Sequence, residues 1–306
     1  FSNTRSVAEK TLCEIIALHR RLCDRSMGMH QGRWNKSASG AHEVRGRTLG
    51  IVGYGRIGSQ LGVLAELLGM RVVYYDPAER LAMGNARPVP ELDDLLRACD
   101  VVSLHVPATP ATSGMIGERE LGLMKDGAFL INNARGSVVD IGALASALSE
   151  ERLGGAAVDV FPEEPADREA EFESPLRGLE NVILTPHIGG STIEAQRAIG
   201  EEVSGKLIKL MNNGSTTSAV NMPEVELPLL HERHHRILHI HRNVPGVLSK
   251  MHTIIAEMGV NVAAEHLQSD MKRSYVILDV DETHGEELRE RLRREVEETI
   301  RVRSIW

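Results

Sequence analysis

The sequence is poor in aromatic rings, in cysteine, in long apolar runs and in positive charge. Phe, Tyr and Trp supply only 3% of its 306 residues, which leaves few stacking platforms for single-stranded nucleic acid. The three cysteines, Cys13, Cys23 and Cys99, include no CxxC pair. They suggest neither a disulfide framework nor a thiolate zinc site, and a reducing cytoplasm fits them best. No apolar stretch approaches the ~18 residues needed to span a bilayer, and no signal peptide is visible, so no membrane partner is expected. Lys and Arg number 35 against 43 Asp and Glu, a net charge of −8. A chain of that sign repels a phosphate backbone overall, which argues against nucleic acid as a partner.

What is present is an ordinary globular balance, 42% hydrophobic and 25% charged, in a chain long enough for about two domains. Val7, Leu12, Ile15, Leu18 and Leu22 recur at helical spacing and predict an amphipathic helix over residues 6–23. A polar loop follows over 30–47. From Thr48 onward short β-branched runs, at 49–52, 71–75, 101–106, 128–132, 156–160 and 182–185, alternate with helical stretches. That alternation predicts a doubly wound parallel α/β sheet with helices on both faces. A longer amphipathic helix is expected over 194–211, and Pro223 and Pro228 flank a linker. The remainder holds 8 of the 13 histidines. It reads strand–helix–strand–strand–helix–strand, a ferredoxin-like βαββαβ unit.

The first predicted strand runs into Gly53-Tyr54-Gly55-Arg56-Ile57-Gly58, and Asp76 closes the second. In that context the glycines form a dinucleotide-binding turn. Gly53 permits the turn, Gly55 admits a pyrophosphate, and Gly58 lets the helix pack on the sheet. The helix N-terminus offers N–H groups to the anion. Asp76 suits a ribose diol and repels a 2′-phosphate, which favours NAD over NADP. Three further stretches follow predicted strands, at the edge where open α/β sheets bind ligands: Asn133-Ala134-Arg135-Gly136, Asp159 through Pro165, and Thr185-Pro186-His187-Ile188-Gly189-Gly190.

These strings, together with Ser2-Asn3-Thr4-Arg5-Ser6-Val7-Ala8-Glu9 and His105-Val106-Pro107, resemble the D-isomer-specific 2-hydroxyacid dehydrogenases over essentially the whole chain. The closest likeness is to the branch that ends in an ACT domain and oxidises 3-phospho-D-glycerate at the head of L-serine synthesis. The resemblance implies a Rossmann-like NAD domain and three catalytic residues. His187 is the acid–base group, since imidazole titrates near neutrality. Glu164 orients it, with Glu163 as the alternative register, and Arg135 binds the substrate's carboxylate and carbonyl. It extends the cofactor shell to Arg56, Ile57, Val106, Pro107, Asn133, Ala134, Asp159, Gly189 and Gly190. Asp159 is expected to orient the nicotinamide amide. Asn133 departs from the pattern, where a smaller residue is expected. Lys36 resembles a basic residue that binds substrate anion across a subunit boundary, and an ordinary solvated lysine is the other reading. Trp34 resembles an interface anchor.

The resemblance also implies an L-serine effector bound between paired ACT domains through His241, Asn243 and Asn261, and a homotetramer. A metal site among His231, His234, His235, His239 and His241 is not expected, because no acid or cysteine stands at ligand spacing. Polar surface plus the effector site is the expected use of that cluster. The implied domains are 1–47 and 191–228 as parts of a substrate domain, 48–190 for NAD, and 229–306 for regulation. The chain opens on Phe1, and the likeness implies that roughly 100 residues precede it, about a small domain. On that expectation these 306 residues alone are weakly active or inactive. The competing readings are another D-2-hydroxyacid dehydrogenase, including one reducing 2-oxoglutarate, and a non-catalytic amino-acid sensor with a relic NAD site.

Overall fold

Strand-forming runs alternate with helices through the first 199 residues, and they build one parallel sheet. The computed structural model describes residues 2–167, 170–231, 233–281 and 283–306. It divides into two units, Phe1–Ile199 and Gly200–Trp306. The first contains α1 (Thr4–Arg20), α2 (Leu22–His30), β1 (Thr48–Val52), α3 (Arg56–Leu67), β2 (Arg71–Tyr75), β3 (Arg87–Pro88), α4 (Leu92–Ala98), β4 (Val101–Leu104), α5 (Glu118–Leu123), β5 (Phe129–Asn132), α6 (Ile141–Ser149), β6 (Gly155–Val158) and β7 (Val182–Leu184). The unit boundary falls inside α7 (Ile193–Asn213).

The strand order is β3-β2-β1-β4-β5-β6-β7, every pair parallel. This is the expected doubly wound sheet, and its order reverses between β1 and β4. β1, β4, β5 and β6 are buried along their whole length, as strands covered on both faces must be. Alternate residues feed two cores. Val52, Val102, Leu104 and Leu130 pack with Leu95, Leu121 and Leu144. Leu49, Ile51, Val101 and Ile131 pack with Ile15, Leu18 and Leu61. The sequence reading missed β3, a two-residue edge strand that ends in proline.

The first predicted helix is broken where it was expected to continue. Arg21 adopts φ 50°, ψ 39°, and its N–H closes on Leu18 O at 3.0 Å. α2 then starts in a direction that lets Asp24 accept the Asn181 N–H at 3.0 and 3.2 Å. α1 buries Val7, Ala8, Ile15 and Leu18, and with them Thr11 and Glu14.

The second unit holds β8 (His234–Arg242), α8 (Val247–Met258), β9 (Val262–Ser269), β10 (Arg273–Asp281), α9 (Gly285–Glu295) and β11 (Thr299–Ile305). The sheet is antiparallel with order β11-β8-β10-β9, the ferredoxin-like arrangement expected for βαββαβ. Ile237, Val276 and Leu278 pack under Met251, Ile254, Leu288 and Leu292. On the other side Leu238, Tyr275 and Ile277 meet Leu227. Arg236 is fully buried. Its Nε and Nη2 donate to Asp279 Oδ1 (2.6 Å) and Oδ2 (2.7 Å), and its Nη1 to Asn213 O (3.0 Å) and Pro228 O (2.9 Å). This bidentate pair holds the segment before β8 against the sheet.

His231 is exposed and His234 and His235 are half-buried, but the other two histidines of the cluster do not lie on polar surface as expected. His239 and His241 are 0% and 2% exposed, because they share the strand face of Ile237 beneath the helices. Their Nδ1 atoms stand 3.2 Å apart, and His239 Nε2 meets Thr299 Oγ1 at 2.8 Å. Burial, with the neighbouring His241, pushes the His239 imidazole down to about 4. Burial also lowers His241, opposed by the Glu298 carboxylate. An unfolded histidine titrates near ~6.5, so between that value and about 4 the unfolded chain binds the extra proton. The stability these neutral rings contribute is therefore present above pH ~6.5 and is lost as the pH falls toward ~4. Urea denaturation of this unit followed across that range should show the loss. His239→Gln, which cannot take up the proton, should flatten the dependence.

Candidate active site

Every strand-end motif named from the sequence lies at the carboxyl edge of the parallel sheet. Gly53 follows β1 at φ 91°, and a Cβ there would stand 2.6 Å from His105 O. A Cβ on Gly58 would collide with Gly53 O. Gly55 is different, since nothing lies within 4 Å of the Cβ it lacks. It is the N-cap of α3 and supplies no side-chain cap, so the turn is open on the side where a side chain would stand. That cradle fits a dinucleotide pyrophosphate. Asp76 Oδ2 accepts the Tyr54 N–H at 2.9 Å and stands 3.2 Å from Arg80 Nε, while Oδ1 accepts the Ala78 N–H at 2.9 Å. The carboxylate thus anchors the glycine turn and keeps one acceptor position on Oδ1. Val106 and Pro107 follow β4, beside Gly53.

Across the switch point, Glu164 rather than Glu163 reaches His187. Its Oε2 stands 2.8 Å from His187 Nδ1, and its Oε1 accepts the Phe161 N–H at 3.1 Å. Burial tends to raise the Glu164 carboxyl. The hydrogen bonds from His187 and Phe161 and the imidazole's charge outweigh it, so Glu164 sits below its ordinary range. Both side chains remain partly open, at 50% and 38% exposed. They line a cleft of about 840 Å³ with Phe161, Phe172, Pro186 and Ile188. With Nδ1 engaged, Nε2 is the nitrogen left for a ligand.

His187 sits at φ 54°, an uncommon backbone for a residue with a side chain. Asp159 holds that turn. Its main-chain O accepts the His187 N–H (2.8 Å). Its Oδ1 accepts the Thr185 hydroxyl (2.5 Å) and the Ile188 N–H (3.0 Å), and its Oδ2 accepts the Gly189 N–H (2.8 Å). Gly190 lies against Asn3. Arg135 is exposed after β5, with Nη1 donating to Ala134 O at 2.6 Å. Gly136 beside it presses on the Phe161–Pro162 backbone, where a Cβ would collide. That close approach ties the Arg135 loop to the Glu164 loop.

Asn133, read from sequence as a departure, is 8% exposed and enclosed by Lys10, Thr11 and Glu14 of α1. Those three residues were not singled out in the sequence. The available signal was a charged residue, Glu14, on the apolar stripe of Val7, Ile15 and Leu18. Lys36 and Trp34 lie exposed in the loop after α2, Trp34 by 79%. In the second unit His241 is buried. Asn243 and Asn261 are exposed, with Asn243 Nδ2 donating to Asp270 O (2.8 Å) and Asn261 N–H to Asp281 Oδ2 (3.3 Å).

The NAD-binding-domain model of the D-isomer-specific 2-hydroxyacid dehydrogenases matches residues 12–189. The chain belongs to that family. Residues 237–303 match a model of the ACT domain like that of the AHAS small subunit. The D-3-phosphoglycerate dehydrogenase of Haemophilus influenzae is 54% identical over 306 residues, covering 100% of this chain and 74% of that protein. The enzyme of the same name from Escherichia coli is 53% identical over 308 residues, with the same coverage. Among solved structures, a D-lactate dehydrogenase from Aquifex aeolicus complexed with NAD and lactic acid is 34% identical at a TM-score of 0.63, covering 69% of this chain and 67% of its own. This family member is thus an NAD-dependent oxidoreductase, and among the described residues no helix is long and apolar enough to cross a membrane.

The glycine geometry separates cofactor binding from folding. Gly55→Ala should leave the melting temperature nearly unchanged and weaken NADH binding, read by nicotinamide fluorescence. Gly58→Ala forces backbone apart and should cost about 1–3 kcal/mol of stability in a denaturant titration.

Proposed function

We propose that this chain carries the NAD-binding, proton-transfer and regulatory parts of a D-3-phosphoglycerate dehydrogenase, which oxidises 3-phospho-D-glycerate to 3-phosphohydroxypyruvate. The observation that carries this reading is the 2.8 Å His187–Glu164 pair at the sheet's carboxyl edge, in a chain 54% identical to an enzyme of that name. Bound at the glycine turn, NAD supplies the hydride acceptor. His187 Nε2 takes the proton from the substrate hydroxyl. Glu164, held below its ordinary range, stays ionised at neutral pH and stabilises the imidazolium through Nδ1. Arg135 holds the substrate carboxylate through its guanidinium fork. In the reverse direction the imidazolium at Nε2 returns the proton.

The cofactor contacts we assign are Gly53, Gly55, Arg56, Ile57, Gly58, Asp76, Val106, Pro107, Asn133, Ala134, Asp159, Gly189 and Gly190. Asp159 and Asn133 spend most of their side-chain capacity on the protein, so their contribution to NAD is chiefly to shape its site. Lys36 is assigned to substrate anion from a neighbouring subunit of a homotetramer. Residues 1–47 and 191–228 are assigned to a substrate domain, 48–190 to NAD binding and 229–306 to regulation. L-serine is assigned to a cleft between two ACT units formed by His241, Asn243 and Asn261. His241, buried and neutral, offers a hydrogen-bonding ring rather than a charge. The cytoplasm is the assigned compartment.

The test is NADH consumption with 3-phosphohydroxypyruvate, with and without L-serine, by this chain and by the full reading frame of its gene. Turnover suppressed by serine is expected of the full reading frame, and weak turnover or none of this chain alone. His187→Ala should lower kcat by about 10²–10⁴-fold. Glu164→Gln should lower it less, because the imidazole keeps Nε2 free and loses only the carboxylate at Nδ1. Turnover with 2-oxoglutarate or another 2-oxo acid alone would move the enzyme to another branch of the family. NADH binding without turnover of any 2-oxo acid would leave an amino-acid sensor.

A further inference from the structure

The polar network around Asp159 continues into α1. Lys10 Nζ stands 3.4 Å from Asp159 Oδ1, donates to Asn133 Oδ1 at 3.1 Å and pairs with Glu14. Asn133 Nδ2 donates to Glu14 Oε2 (2.6 Å) and Thr11 Oγ1 (2.9 Å), and the Thr11 hydroxyl donates to Val7 O (2.8 Å). The side chains of Lys10, Glu14 and Asp159 are 15%, 6% and 1% exposed. Two carboxylates therefore share one ammonium away from water. Burial, stronger than the opposing effects of Lys10 and Asn133, pushes the Glu14 carboxyl above its usual range. Lys10 stands closer to Glu14 than to Asp159, so its ammonium bridges the two carboxylates.

We propose that Lys10 and Asn133 are positioning residues for proton transfer, holding Asp159 in the geometry that fixes the turn carrying His187. The proposal rests on His187 being the acid–base group. A non-glycine residue in the left-handed region costs about 1–3 kcal/mol and persists only where its surroundings over-determine it. For His187 those surroundings are the acceptors of Asp159, which hold the N–H groups of His187, Ile188 and Gly189. A carboxylate buried that deeply needs a compensating charge as well as donors, and Lys10 supplies it. Asn133 completes the set, since its amide satisfies Lys10, Thr11 and Glu14 together. Removing one member orphans the others, and the disturbance reaches the Ile188 and Gly189 amides through Asp159, while Ser6 of α1 separately holds Gly189 O (2.6 Å).

The direct readout is hydrogen exchange at the Ile188 and Gly189 amides of this chain. Lys10→Met and Asn133→Ala should each speed that exchange by about tenfold, while amides of β4 keep their protection. Lys10→Arg, which keeps the charge, should restore it. In the full reading frame both variants should lower kcat by about ten- to a hundredfold, as expected when a reacting group is displaced. For Lys10→Met the KM for NADH should change far less. Unchanged exchange at the two amides overturns the proposal, as does faster exchange with unchanged kcat. If Lys10→Met does not fold, Asn133→Ala carries the same test. A wild-type protein that binds NADH but turns over no 2-oxo acid defeats the functional reading instead, and the exchange measurement still decides whether Lys10 and Asn133 hold the turn.

Discussion

Asp159 follows β6 with its carboxylate only 1% exposed, and a charge so placed is tolerable only inside a shell of donors. Much of the candidate site follows from meeting that demand. The Thr185 hydroxyl and the Ile188 and Gly189 N–H groups converge on it from one side, and Lys10 approaches it from α1. The chain brings these donors together by turning tightly after β7, and His187 stands in that turn in a left-handed conformation. His187 then points Nδ1 at Glu164. The His187–Glu164 pair is in this sense a consequence of burying a different carboxylate.

Asp76 meets the same problem at the end of β2. It too accepts a backbone N–H from the neighbouring ligand loop, that of Tyr54 in the glycine turn, and it too has a cation alongside, Arg80. Each aspartate ties a loop of one strand to the end of another. A parallel sheet covered on both faces has little room for charged groups within its strands, which are largely apolar. The ligand edge is therefore also where the scaffold's polar ties are concentrated. Gly53, Gly58 and Gly136 let backbone segments cross there without side chains between them.

The alternation of strand and helix was legible in the sequence because each strand here is a short apolar run bounded by glycine or a polar residue. β2 begins and ends where its β-branched and aromatic run placed it, and most other element ends shift by one to three residues. The pairing of Glu164 with His187 was legible as a resemblance in motif order. Three things were not. The break at Arg21 depends on long-range partners, Glu180 for Arg21 and Asn181 for Asp24, that no local pattern reports. Burial of His239 and His241 follows from which strand face the helices cover, and alternation alone fixes only that the two agree. The Lys10–Glu14–Asn133 network joins residues more than a hundred positions apart, and a Lys–Glu pair at i,i+4 reads by default as a solvated helix face.

The described structure treats its buried titratable groups in two ways. Some are paired, as Arg236 is with Asp279 and Lys10 with Asp159. Others are driven toward neutrality, as His239 is by burial and Glu14 is by burial against Lys10. The groups assigned to chemistry are treated otherwise. His187, Glu164, Arg135 and Lys36 keep contact with solvent, so they can exchange protons or meet an anionic substrate without first being extracted from a dry interior. Precision in such exposed groups cannot come from their own packing. It has to be transmitted from neighbours that are buried, and for His187 those neighbours are Asp159 and the α1 side chains behind it.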